Sequence, residues 1–182
     1  MTQQTVSPSQ LIPGTWTVDA AHSEVGFTAR HMMVTKVRGT FADFSAEVVV
    51  GETLADSSVS ATVQMASVDT RNTDRDGHLV SPDFFDVETY PTMTFRSAQV
   101  TETSMTGDLT IKGVTRPVTF DLEFNGTSDD PWGGVRAGFE ATTTINRKDW
   151  GLSWNVAVES GGVLVSEKVQ IHLDIQLVQP QG

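Results

Sequence analysis

Apolar and polar residues alternate with a period of two along most of the chain. Val25, Phe27, Ala29 and His31 alternate with Glu24, Thr28 and Arg30. Val59, Ala61, Val63 and Met65 alternate with Ser58, Ser60, Thr62 and Gln64, and Val118, Phe120, Leu122 and Phe124 with Thr119, Asp121 and Glu123. Val169, Ile171, Leu173, Ile175 and Leu177 alternate with Gln170, His172, Asp174 and Gln176. Weaker versions run through 41–50, 93–100, 105–112 and 135–145. Period two places successive side chains on opposite faces of a strand, so each segment reads as a β-strand with one dry and one wet face. That is the signature of antiparallel sheet. About eight such strands at similar spacing predict an all-β barrel or sandwich.

Turn signals punctuate the strands at Val50-Gly51-Glu52, Lys112-Gly113-Val114 and Asn125-Gly126-Thr127, the last being a strong hairpin signal. One segment breaks the alternation. Ser81 followed by Pro82 reads as an N-cap and first helical residue, predicting one short helix near 82–88 that ends before Pro91. The polar start of the chain reads as a flexible tail over 1–13. A single domain then spans 14–178, and 179–182 form a short C-terminal tail.

Composition changes this picture little. With 182 residues, 38% hydrophobic and 19% charged, the chain can build one core and shows no sign of disorder. It contains no Cys, which excludes disulfides and thiolate chemistry. The formal net charge of −11, from 23 acidic and 12 basic residues, repels nucleic-acid phosphates and anionic membranes. No stretch is long and apolar enough for a membrane span, and the first dozen residues lack the basic and apolar regions of a secretory signal. The expectation is a cytoplasmic protein with no stable membrane insertion and no nucleic-acid partner.

Candidate chemistry is sparse. The four histidines, His22, His31, His78 and His172, show no dense metal-ligand spacing, so no metal site is expected. No Ser sits in a GxSxG setting. His31 shares parity with Val25 and Phe27 and is therefore expected to face inward, either as a core histidine with a satisfied hydrogen bond or as a polar fixture in a ligand cavity. His172 falls on the wet face. Arg71 and Arg75, and a second basic group of Arg30, Lys36 and Arg38, read either as offsetting the acidic field beside an opening or as ordinary surface charges, paired within a long loop or neutralised by Asp19 and Asp43. Trp132, Trp150 and Trp154 can plug a barrel end or line a mouth.

A longer pattern then emerges. Trp16-Thr17-Val18-Asp19-Ala20-Ala21-His22-Ser23, Gly39-Thr40-Phe41, Arg75-Asp76-Gly77-His78-Leu79 and Asp83-Phe84-Phe85-Asp86 come in order. Tyr90-Pro91-Thr92-Met93-Thr94-Phe95, the run from Gly107 to Val118, and Asn146-Arg147-Lys148-Asp149-Trp150-Gly151 follow. Together they resemble the YceI-like family of polyisoprenoid-binding, lipocalin-like proteins over about residues 14–178. The resemblance implies an up-and-down, eight-stranded antiparallel barrel around a long apolar cavity for an isoprenoid chain. It implies no enzymatic activity, and no cofactor other than a bound lipid of quinone or polyprenyl type. Many family members are exported. The candidate ligand-binding residues are Phe27, Ala29, His31, Phe41, Phe44, Val63, Met65, Met93, Phe95, Leu109, Ile111, Phe120, Leu122, Phe139, Ile171 and Leu173. Arg75, His78, Phe84, Phe85 and Trp154 join them near a mouth.

Burial of about 0.8 kcal/mol per CH₂ makes a chain of about 40 carbons exceed the non-covalent ceiling of roughly 20 kcal/mol. The relevant reference for such a ligand is therefore hydrocarbon, not water, and selectivity falls to cavity length and to polar groups at the mouth. The partner expected is an isoprenoid or similar amphiphilic lipid, stored, transported or sequestered, and a homodimer is compatible with the sequence. The alternative is an enzyme acting on a small apolar substrate in the same cavity, with His31 and Asp76 or His78 as acid and base. A barrel packed solid, serving as an interaction scaffold, is the third reading. Small inward residues Ala29, Ala61, Ala137 and Ala141 favour a hollow interior over a packed one.

Overall fold

The computed structural model describes residues 8–32, 34–155 and 165–180, apart from the Ser9 side chain. Its strands are β1 (Gly14–Val18), β2 (Glu24–His31), β3 (Thr35–Phe41), β4 (Phe44–Val50), β5 (Ser58–Gln64), β6 (Val68–Asp69), β7 (Thr92–Val100), β8 (Ser104–Ile111), β9 (Val114–Asp129), β10 (Val135–Asn146) and β11 (Lys168–Val178). The one α-helix described, α1, runs Thr73–Val80. All the strongly alternating segments are strands, as their period requires. Three strands that the pattern did not isolate, β1, β3 and β6, complete the sheet.

Every pairing is antiparallel, and the ring closes because β1 bonds to both β4 and β11. Two strands are bent staves in two pieces. β1 and β2 follow one another along β11, from Val18↔Leu177 to Val25↔Leu173, across a 3₁₀ turn at Ala20–His22. Likewise β3 pairs with β6 while β4 pairs with β5, with the break at Ala42 and Asp43. Counted this way, with β5 and β6 as a third bent stave, the ring is an eight-stranded up-and-down barrel. Closure leaves the main ladders without free edges.

Two sequence signals resolve differently from expectation. Lys112 and Gly113 do form a two-residue hairpin loop, both with positive φ (51° and 76°), the mirror-image turn that matches strand twist. Asn125-Gly126 forms no hairpin. β9 runs straight through it, and the register with β10 skips one residue between Gly138 and Phe139, leaving Asn125 as the extra residue of a bulge. Gly126 takes φ +106°, which suits the bulge as well as it would suit a turn. The chain reverses instead at 130–134, where the Asp130 carboxylate accepts from the Trp132 and Gly134 amides.

The helix, expected near 82–88, lies one segment earlier. Asn72 caps it by accepting from the Arg75 amide, and Asp76 reaches back to the Thr70 amide and hydroxyl. Ser81 is its C-cap, not its N-cap. Residues 81–90 form overlapping turns, with Phe84 and Asp86 amides on the Ser81 carbonyl and Tyr90 on that of Asp86. Residues 8–13, expected within a flexible tail, take part in the fold. Pro8–Gln10 form a 3₁₀ turn, Leu11 is buried, and the Trp16 indole donates to the Ile12 carbonyl at 3.0 Å.

The barrel therefore has two unlike ends. The rim carries the loops 51–57, 101–103 and 130–134 and the incoming segment 8–13. The base carries the β2–β3 tip, the 65–91 excursion with α1, the Lys112–Gly113 turn and the 147–155 segment. The main core runs along the barrel interior, from Ile111 and Trp150 at the base to Met105 near the 101–103 loop, and a smaller cluster of Leu11, Trp16, Val50, Ala137 and Leu177 sits at the rim side.

Candidate apolar cavity

The strand alternation leaves a cavity of about 180 Å³ inside the barrel, opening toward the rim. Its wall is built from inward positions of successive strands: Ala46, Val48 and Val50, then Val59, Ala61 and Val63, then Met93 and Phe95, then Met105 and Leu109. Phe120, Leu122, Phe139, Ala141, Ile171, Leu173, Ile175 and Leu177 continue it around the ring. At the rim Pro8, Leu11, Leu54 and Ser57 complete the lining. No Lys, Arg, His, Asp or Glu of the described residues touches this space; Ser45, Ser57, Ser58 and Thr94 are its polar residues. Small side chains make the space. Ala46 and Ala61 are cross-strand partners, Ala61 also faces Phe95, and Ala141 faces inward from β10.

The base is closed. Trp150 is buried and its indole donates to the Leu109 carbonyl at 2.9 Å. Phe27, Phe41 and Phe85 form a chain of tilted rings 5.6 and 6.1 Å apart. Phe84, His78 and Trp154 form a second cluster with centroids within 5.3 Å. Arg147 is buried beneath it, with its guanidinium 5.9 Å from the Phe84 ring centre and its N–H groups donating to the Leu152, Val165 and Ser166 carbonyls. Burial pushes this guanidinium below its usual pKa, against the pull of Glu167. Among the described residues, carbonyl dipoles rather than a contacting carboxylate satisfy the cation. It ties the 147–152 turn to the start of β11.

The expected ligand-binding residues divide along this axis. Phe44, Val63, Met93, Phe95, Leu109, Phe120, Leu122, Phe139, Ile171 and Leu173 line the cavity. Phe27, Phe41, Met65, Ile111, Phe84, Phe85, His78 and Trp154 belong to the packed base instead. The aromatics of the 81–90 turns do lie over a barrel end, and they fill it.

His31 is a correction. Parity puts it on the inward side of β2, but the strand has by then run past the barrel, and His31 is exposed at the β2–β3 tip opposite Thr35. Ala29, two residues earlier, borders an outer cleft with Arg30, Lys36, Ser166 and Lys168. Arg75 turns back on its own segment, donating to the Thr70 hydroxyl and carbonyl at 2.8 and 2.7 Å. The basic groups expected beside an opening thus sit at the closed end. The acid–base set of the enzymatic alternative is likewise not assembled at the cavity: Asp76 is held by Thr70, and His78 pairs with Asp83 at 3.0 Å.

Several lining residues escaped the sequence reading. Ile175 and Leu177 continue the parity of Ile171 and Leu173, so that signal was present. Pro8, Leu11 and Leu54 lie in segments with no period at all, and nothing local marks them.

Near the rim, Asp19 accepts from both Arg136 and His22, the latter at 2.9 Å. Arg136 also reaches Asp130 at 3.5 Å. These partners, Arg136 foremost and then His22, hold the Asp19 carboxyl down at about 2. Asp130 is lowered as well, first by the Gly134 amide. His172, on the outer face of β11, lies against the Cα of Gly26, where an added Cβ would meet its ring.

A closed, up-and-down antiparallel barrel whose cavity wall carries no charged side chain among the described residues defines a class of barrel proteins built around an apolar space. Within that class the sequence and the fold agree on one family. Residues 16–177 match the YceI-like domain, and the chain belongs to that family. It is similar to a UPF0312 protein of Staphylococcus aureus, 43% identical over an alignment of 159 residues, with 85% of this chain and 92% of the relative covered. Among solved structures it is similar to BcnA of Burkholderia cenocepacia, with a TM-score of 0.71 at 26% identity, covering 87% of this chain and 98% of that one. The same barrel occurs in a domain from Saccharophagus degradans described as polyisoprenoid-binding and implicated in plant cell wall breakdown, with a TM-score of 0.71 at 16% identity over 91% and 98% of the two chains. No helix among the described residues is long and apolar enough to cross a membrane.

Proposed function

We propose that this protein binds the hydrocarbon part of an isoprenoid or similar amphiphilic lipid in the barrel cavity, and that it stores, carries or sequesters that lipid rather than transforming it. The observation that carries the reading is the cavity wall, which is predominantly apolar and, among the described residues, offers no titratable side chain for acid–base chemistry. Family membership and the shared barrel of the polyisoprenoid-binding Saccharophagus domain support it.

The volume refines the expectation of a long tunnel. Apolar cavities of about 150 Å³ stay dry and accept a benzene-sized guest. The 180 Å³ present here is of that order, so the preformed space takes the first isoprene units of a chain. A longer chain enters by displacing rim side chains, for which Leu11 and Leu54 are the candidates. Such a ligand leaves a bilayer or micelle with little net gain, which suits reversible exchange.

Native mass spectrometry and organic extraction of the purified protein test the proposal directly. A co-purifying lipid, or saturable uptake of geranylgeraniol from mixed micelles, is the expected result. Protein that carries no lipid and takes up none would refute it.

A further inference from the structure

The cavity opens at the acidic end of the molecule, and this bears on the head group. The rim loops 51–57, 101–103 and 130–134 and the incoming segment 8–13 contain no Lys or Arg. They carry Glu52, Asp56, Glu102 and Asp130, and Asp129 ends the strand leading into the third loop. Glu52, Asp56, Glu102 and Asp129 are exposed. The cation next to the rim, Arg136, is already held by Asp19 and Asp130. The basic side chains collect at the other end: Arg30, Lys36 and Lys168 border the outer cleft, and Arg147 is enclosed in the packed base. The buried Trp150 and the packed Phe84 and Phe85 rings lie at that end, and none of the three lines the cavity.

A lipid whose tail enters from the rim therefore leaves its head among carboxylates. A diphosphate head carries two to three negative charges and needs Arg, Lys or a helix N-terminus to replace its hydration. The rim supplies none of these and adds like-charge repulsion. A hydroxyl or quinone head loses nothing there, because exposed loop carbonyls, hydroxyls and water can bond to it.

We infer that the cavity selects lipids with an uncharged head group, such as free prenols or prenylated quinones, and discriminates against prenyl phosphates of the same chain length. This rests on the cavity being the lipid site.

The test is competition of geranylgeraniol and geranylgeranyl diphosphate for Nile red bound to the full chain, at low and at high salt. Nile red is uncharged, so its own binding does not depend on the rim field. The alcohol is expected to displace the dye at a concentration at least about tenfold lower than the diphosphate. Salt should narrow that gap, because exposed charges are screened. The Glu52→Gln, Asp56→Asn, Glu102→Gln triple variant should narrow it at low salt while leaving competition by the alcohol unchanged, which also reports that the variant is folded. Equal or stronger competition by the diphosphate at low salt would overturn the inference and leave the lipid-binding reading standing. Competition by neither compound would overturn the lipid-binding reading and this inference with it.

Discussion

Replacing Ala61 with Leu asks whether the barrel is hollow in solution. Ala61 lies between Ala46 on β4 and Phe95 on β7 and faces the cavity. An empty apolar space of 180 Å³ costs about 4 kcal/mol at roughly 24 cal/mol per Å³. Leu adds three carbons to that space. At about 0.8 kcal/mol per buried methylene the gain is about 2 kcal/mol, provided the volume is there to receive them. At 2–4 °C per kcal/mol for a domain of this size, thermal unfolding of lipid-free protein should rise by about 4–8 °C. Nile red affinity should fall at least about tenfold, because the same volume is consumed. Differential scanning fluorimetry and dye titration read the two effects together. A packed interior gives the opposite sign, since overfilling a close-packed core costs about 1–3 kcal/mol. A lowered melting temperature with unchanged dye affinity would refute the cavity argument and, with it, the function proposed from it.

Other residues test the two ends of the barrel. Leu11→Ala removes a buried rim side chain that packs beside Trp16 and lines the cavity, so it should cost about 2–3 kcal/mol in urea unfolding and speed Nile red entry in stopped flow. Arg147→Met keeps the side chain's length but leaves the Leu152 and Ser166 carbonyls without the guanidinium donor, while the Val165 carbonyl keeps the Asn155 amide at 2.7 Å; a loss of about 1–3 kcal/mol is expected, with little change in dye affinity because Arg147 lies outside the cavity. Asp19 has a folded pKa of about 2 against an ordinary 3.8, so its contribution is fully present above about pH 4 and disappears as pH falls through 2. Asp19→Asn should therefore lower stability by about 1–2 kcal/mol at pH 7, after allowance for solvent screening, and the difference from the parent should close on approaching pH 2.

Much of the fold was legible from period and punctuation alone. Alternation is a local property, and it determined which segments are strands and which face of each is dry, because an exposed apolar face has no other stable outcome than burial. Phe95, Leu109, Phe120, Leu122, Ile171 and Leu173 were identified as lining on that basis. What alternation does not encode is position along the barrel axis. His31 has inward parity at a place where the barrel has ended, and Phe41 and Ile111 have it where the interior is packed. Local turn chemistry was ambiguous for the same kind of reason: a glycine with positive φ serves a bulge at Gly126 and a hairpin at Gly113, and only the partner strand's register distinguishes them. The helix lies earlier than expected because Asn72 supplies its N-cap, while Ser81 closes it with its amide on the His78 carbonyl.

By itself, then, the sequence determined an all-β chain with apolar inward faces, small residues among them, and a family-wide order of motifs. The tertiary structure decided that the hollow opens toward the rim while the Phe27, Phe41 and Phe85 rings and the Phe84, His78 and Trp154 cluster pack the base, that the cavity is about 180 Å³, and that the mouth is acidic. Those are properties of how eight staves close on one another and of which loops their ends bring together. Closure depends on pairings between residues as distant as Val18 and Leu177, which no local period contains.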